Sequence, residues 1–208
     1  MVEVGAGTGL TSIIAARCGA KSVLATDRED PEVLGLLARW AGWGGEVLEV
    51  QGFRLAGGAG GGGGGGWGRW CSPPPRNMAR NPSVVGAAPT VLPLDLAATL
   101  DTLEHLRHTD LVLAADIVYD DAITDLFIAF LERLGRVVSR AVRVMVALER
   151  RVVFTVEELE ARAPAYEHLV ARLGAMEGLT VARVEIDWPQ NLCYQRCQEL
   201  ELMEVTLG

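Results

Sequence analysis

A chain of 208 residues, half of them hydrophobic, is long enough for one domain with a sizeable core, and none of its apolar runs reaches the length of a membrane span. Glu3 and three glycines stand where a secretory signal would place basic and then apolar residues, so a soluble intracellular protein is expected. A formal charge of −8 argues against direct nucleic-acid binding by the whole chain, which needs clustered Lys and Arg.

The chain opens on Val2-Glu3-Val4-Gly5-Ala6-Gly7-Thr8-Gly9-Leu10, an apolar strand end that runs into a glycine-punctuated turn. A helix over Leu10 to Cys18 follows and is stopped by Gly19. Ser22 to Thr26 reads as a second strand ending at Asp27, and Pro31 to Ala41 as the next helix. From Gln51 to Leu94 there is no Asp or Glu, while an unbroken glycine run from Gly60 to Gly66, Pro73 to Pro75 and four arginines are present. Such a composition loses much entropy on ordering and has few apolar groups to offset it. A disordered insertion over about residues 52–89 of an otherwise single domain is therefore expected. Arginine interleaved with glycine and with Trp67 and Trp70 can also grip single-stranded RNA by charge and stacking. The same composition is what translated GC-rich non-coding sequence yields.

Beyond the insertion, Thr90 to Leu94 reads as a strand ending at Asp95, and Leu111 to Ala115 as a buried strand ending at Asp116. Ile123, Phe127, Phe130, Leu134 and Val137 recur at helical spacing, which predicts an amphipathic helix over Ala122 to Arg140. Val142 to Leu148 is a further strand. Thr155-Val156-Glu157-Glu158 has the S/T-x-x-E form of a helix start, and that helix is expected to break near Pro164 and resume through Leu173. Thr180 to Ile186 and Leu200 to Leu207 close the chain as an antiparallel pair. Repeated βα units imply a mostly parallel sheet that binds ligands at the carboxyl ends of its strands.

Cys18, Cys71, Cys193 and Cys197 form no C-x-x-C pair, and no histidine stands at ligand spacing from them, so no metal site is expected. His105 and His108 beside Glu104 read as an exposed helical face. The glycine turn lacks the Gly-Lys-Ser/Thr ending of a phosphate loop, and Leu10 stands where a dinucleotide turn has Gly or Ala. The acid two residues before the first glycine would repel pyrophosphate. It suits a ligand bearing an ammonium or a sulfonium, and S-adenosylmethionine carries both. Asp27, about 20 residues past the turn, is placed to accept from ribose hydroxyls, and Asp95 from an adenine amino group. The candidate cofactor-binding set is Glu3, Gly5, Ala6, Gly7, Gly9, Asp27, Asp95, Leu96 and Ala115.

Val2 to Leu10 resembles motif I of the seven-β-strand methyltransferases, and Asp116-Ile117-Val118-Tyr119 resembles the D-x-x-Y hallmark of their protein-lysine branch, the family 16 methyltransferases. Blocks around Ala114 to Asp125, Leu148 to Thr155, Ala165 to His168, Pro189-Gln190 and Gln198 to Leu202 are similar to a member of that branch. The resemblance implies an α/β, Rossmann-like seven-stranded sheet with an antiparallel last strand, truncated at its N-terminus. It further implies a monomer of the nucleus or cytoplasm that moves a methyl group from S-adenosylmethionine to a lysine of a protein substrate. Asp116 would orient the amine and Tyr119 would wall its channel, as the catalytic pair. Asp95 is followed by Leu96, where the family usually has Trp, and Leu36 to Trp43 lacks the family's usual asparagine. Two rival expectations are a catalytically impaired fold that serves as an interaction module, and a nucleic-acid methyltransferase.

Overall fold

A computed structural model describes residues 1–41, 89–155, 160–189 and 197–208. The expected insertion at 52–89 lies outside the described residues apart from Pro89, as do Cys71, Cys193 and Gln190. The first half alternates strand and helix: β1 Val2–Val4, α1 Leu10–Arg17, β2 Leu24–Asp27, α2 Pro31–Ala41, β3 Thr90–Pro93, α3 Leu100–Leu103 and β4 Leu111–Ala115. Then come α4 Asp121–Val137, β5 Val142–Glu149, β6 Val153–Thr155, β7 Glu160–Arg162, α5 Pro164–Ala175, β8 Leu179–Arg183 and β9 Leu200–Leu207.

Seven strands form one sheet in the order β3-β2-β1-β4-β5-β9-β8. The pairs from β3 to β5 are parallel, and β9 is antiparallel to both β5 and β8. This is the α/β, Rossmann-like arrangement expected, antiparallel last strand included. All three residues of the central β1 are buried, as a strand covered on both faces requires. The order reverses between β1 and β4, so the chain leaves these two neighbours in opposite directions and opens a crevice beyond their carboxyl ends.

The main core is carried by α4 packed on the sheet. Phe127, Phe130, Leu131 and Leu134 are fully buried among Val112, Val144, Val146 and Val205. The start of α4 is fixed by the Asp120 carboxylate, which accepts the Ala122 and Ile123 amides at 2.9 and 3.1 Å. The helix ends at Val137 rather than at Arg140, because Val138 is extended and the Ser139 amide bonds instead to the Arg107 carbonyl at 3.0 Å. A smaller cluster of Ala6, Ala25, Leu37 and Val91 lies under the glycine turn.

The helix expected from Thr155 is corrected by the structure. Thr155 ends β6, which pairs antiparallel with β7 in the register Val153↔Arg162 to Thr155↔Glu160. Val152-Val153-Phe154 is strand-prone sequence, and the partner strand outweighs a local capping pattern. The helix begins instead at Pro164, whose fixed φ suits a first helical position.

Candidate active site

The turn after β1 is built from three left-handed glycines: Gly5 at φ 67°, Gly7 at 52° and Gly9 at 75°. They play different parts. A Cβ on Gly5 would stand 2.7 Å from Ile117 Cγ2, and one on Gly9 2.7 Å from Leu37 Cδ2, so both mark close packing beneath the turn. A Cβ on Gly7 would meet nothing within 4 Å, so Gly7 is the open face of the turn. Ala6 is buried, and its amide donates to the Thr26 carbonyl at 2.9 Å, tying the turn to β2.

Two carboxylates engage the turn and its helix. Asp27 Oδ2 accepts the Gly7 amide at 2.8 Å, while Asp27 Oδ1 accepts its own neighbour's amide, Arg28, at 2.8 Å. Glu3 lies under the turn, 2% exposed, and Glu3 Oε2 accepts the Ser12 amide in the first turn of α1 at 2.8 Å. Burial pushes the Glu3 carboxyl above the usual carboxylate range, against hydrogen bonds from Ser12 and Thr11. Glu3 therefore shapes the turn from below, and Asp27 stands at its open edge. A carboxylate has about four lone-pair positions, so Asp27 keeps acceptor capacity after these two bonds.

Asp95 is exposed just past β3, where its Oδ1 accepts the Ala97 amide at 2.8 Å. Leu96 beside it is half-buried against the main core, and its carbonyl accepts from Arg133. Ala115 ends β4, also half-buried, and Asp116 follows with φ 54°, the one non-glycine residue of positive φ among those described. Asp tolerates this conformation better than most residues, yet it still costs about 1 kcal/mol. The Asp116 amide is held by the Ala147 carbonyl at 2.9 Å, so the neighbouring β5 fixes the turn. Ile117 and Val118 then enter the core, 8% and 2% exposed, which leaves Asp116 and Tyr119 to face outwards. The spacing D-x-x-Y thus places an acid and a phenol on one rim, with two apolar anchors between them.

One rim residue was not singled out from the sequence. Arg151, just beyond β5, donates from Nη2 to both Asp116 oxygens at 2.9 and 3.0 Å, and its guanidinium lies 6.0 Å from the centre of the Tyr119 ring. Its sequence signals were its place two residues past the end of a parallel strand and its position inside the Leu148 to Thr155 block of the resemblance. Arg150 turns the other way, to the buried Glu201 at 3.2 Å and over the Tyr166 ring at 5.7 Å. Val152, Val153 and Phe154, which follow Arg151, are 54%, 49% and 64% exposed. Among the described residues, no group of three His, Cys, Asp or Glu is arranged to hold a metal ion.

The turn after β1, Asp27, Asp95 and the Asp116–Tyr119–Arg151 cluster all lie at or just beyond the carboxyl ends of neighbouring parallel strands. Gly5 against Ile117 joins the turns after β1 and β4 across the crevice. This arrangement can hold an elongated ligand along the turn and present one end of it to an acid and an aromatic ring.

No family model matches the chain. It is similar to Methyltransferase-like protein 22 of Homo sapiens, 35% identical over 105 residues, which are 47% of this chain and 26% of that protein. The chain thus spans about a quarter of the length of the curated relatives it matches. Among solved structures, it superposes on a SAM-dependent methyltransferase from Aquifex aeolicus with a TM-score of 0.50 at 13% identity, covering 100% of this chain and 81% of that one. A glycopeptide N-methyltransferase complexed with S-adenosyl-L-methionine gives a TM-score of 0.50 at 14% identity, with coverage of 98% and 79%. These likenesses show a shared fold, that of the Rossmann-like methyltransferases.

Proposed function

We propose that this chain binds S-adenosylmethionine in the turn after β1 and transfers its methyl group to a lysine side chain of a protein. The observation that carries the reading is the pairing of the turn with carboxylates. Gly7 and Ser12 amides, which would grip a phosphate in a nucleotide loop, are already met by Asp27 and Glu3. A phosphorylated ligand would find both amides taken and the Asp27 carboxylate at the open edge of the turn, whereas a ligand without phosphate and with cationic groups meets neither obstacle. When bound, the cofactor supplies an electrophilic methyl on a sulfonium sulfur.

The chain's own residues do the rest. Gly7 leaves room for the ligand, Asp27 accepts from ribose hydroxyls, and Asp95 with Leu96 borders the adenine. Asp116 attracts and aligns the acceptor amine, and Tyr119 forms one wall of its approach. Catalysis of this kind rests mainly on alignment and exclusion of water. Ile117 and Val118 replace the prolines of an Asn/Asp-Pro-Pro-Tyr slot for planar nitrogens, which favours an aliphatic amine. The exposed apolar run Val152 to Phe154 beside the rim supports a polypeptide acceptor over a free small molecule.

Calorimetric titration of the 208-residue chain with S-adenosylhomocysteine tests the cofactor half. Saturable heat is expected, with at least about tenfold weaker binding in Gly7→Ala, where a Cβ enters the open face and φ is strained. Absence of heat at high micromolar ligand would sink the reading. The acceptor half is tested by transfer of a labelled methyl group to protein fractions followed by hydrolysis. Label in methyl-lysine is expected, and label confined to RNA or small molecules would replace lysine as the acceptor.

A further inference from the structure

We propose that Arg151 is a built-in stand-in for the acceptor's cation: it occupies Asp116 and Tyr119 until an alkylammonium group displaces it, and so sets the affinity for substrate. The inference rests on the rim being the acceptor site, and it names the chemistry recognised there, a primary aliphatic ammonium.

The geometry of the contact is the first argument. An arginine bound for strength places two nitrogens on two oxygens in a fork. Here Nη2 alone reaches both Asp116 oxygens, at 2.9 and 3.0 Å, so the guanidinium acts as a point donor. A lysine ammonium, which is a compact point charge with three donors, can reproduce that contact atom for atom. The second element of the contact, the Tyr119 ring 6.0 Å from the guanidinium carbon, is equally available to any cation.

The two partners are also held independently of each other. The Asp116 backbone is fixed by its left-handed φ of 54° and the amide bond to Ala147, and not by Arg151. Withdrawal of Arg151 therefore leaves the residue at the rim and frees its carboxylate for another cation. The Arg150 amide donates to the Glu199 carbonyl at 2.9 Å and ties the chain just past β5, so Arg151 can leave by side-chain rotation without moving the strand. Both groups are open to water, with side chains 46% and 63% exposed, and an exposed pair of this kind is weak enough for a substrate to displace. An apolar substrate has nothing to offer Asp116 in exchange and leaves Arg151 where it is.

The test follows the Arg151 Nε–Hε resonance of the 15N-labelled chain while n-butylammonium chloride is added, with n-butanol and sodium chloride as controls. A saturable shift with the ammonium and none with either control is expected. In Asp116→Asn the resonance should start near its displaced position and stay there. In parallel, Arg151→Ala should lower the KM for a lysine peptide by up to about fivefold, the scale of one exposed ion pair, and Arg151→Lys should bring it back towards the parent value. An Arg151 resonance indifferent to butylammonium, or a KM that rises in Arg151→Ala, overturns the proposal. Failure of the methyltransferase reading is separate: it shows as absent S-adenosylhomocysteine heat, and the resonance experiment still decides the role of Arg151.

Discussion

Asp116 combines a backbone conformation that side chains resist with a carboxylate that the rim uses. Its φ of 54° is one that glycine adopts at no cost, while alanine pays the full left-handed penalty. Two substitutions therefore separate the two properties. Asp116→Gly should be more stable than Asp116→Ala by about 1 kcal/mol in urea unfolding, because only the second retains a Cβ at that φ. Both should lose methyl transfer by about a hundredfold or more, the scale of a missing acid–base group, while binding S-adenosylhomocysteine within a few-fold of the parent. Equal stability of the two variants would mean that the residue is not left-handed in solution. Loss of ligand binding in a stable variant would place Asp116 with the cofactor instead. The partner that completes this rim, Arg151, was hidden in the sequence for a geometric reason. It stands 35 positions away from Asp116, and only the parallel register Ala115↔Ala147 brings the two strand ends together.

At the scale of elements, the join between β1 and α1 depends on one buried acid. Burial is the largest influence on Glu3 and raises its pKa above the ordinary 4.5, with Asp27 adding in the same direction. A raised value means that the native state holds the proton more tightly than the unfolded chain does. The stability this group confers is then complete below about pH 4.5 and is lost as pH rises through the folded value. Glu3→Gln keeps an oxygen for the Ser12 amide and does not titrate. The Gln variant should therefore gain on the parent as pH is raised from about 4 to 7, read from urea midpoints at each pH. A Gln variant that loses ground to the parent over that range would instead show that the hydrogen bonds from Ser12 and Thr11 outweigh burial. The elements that periodicity and punctuation define, α2 from Pro31 to Ala41 and β4 from Leu111 to Ala115, were legible in the sequence. Elements decided by a partner were less so: Thr155 is held in a hairpin by Glu160, and α4 stops where Ser139 finds Arg107. For the site, the glycine turn and the acids at or after the ends of β2, β3 and β4 were visible as spacing. That Glu3 sits beneath the turn, not along it, became visible only with α1 in place.

The whole molecule is unevenly built. On one side, β5 and β9 share eight paired positions, β4 and β5 five, and Phe127 to Leu134 of α4 cover them with fully buried side chains. On the other, among the described residues, β1 shares three positions with β2, β2 four with β3, and the cluster beneath the turn is Ala6, Ala25, Leu37 and Val91 with Val33 and Leu34 packed against them. Local opening is governed by buried apolar contact and pairing length, so the β1–β2–β3 side should open at lower free energy than the β4–β5–β9 side. Amide hydrogen exchange is expected to be slowest at Val144, Val146 and Val205 and markedly faster at Ala25, Thr26 and in α1. The proposed ligand joins the turn after β1 to Asp27, on the weaker side. At a concentration one hundred times its Kd it would stabilise the bound state by about 2.7 kcal/mol. Exchange at Ala25, Thr26 and α1 should then slow by up to about a hundredfold on adding S-adenosylhomocysteine, while Val144 and Val205 change only as far as their opening includes the turn. Uniform slowing across both sides would show that the sheet opens as one unit. Slowing confined to β5 and β9 would put the ligand elsewhere than the glycine turn.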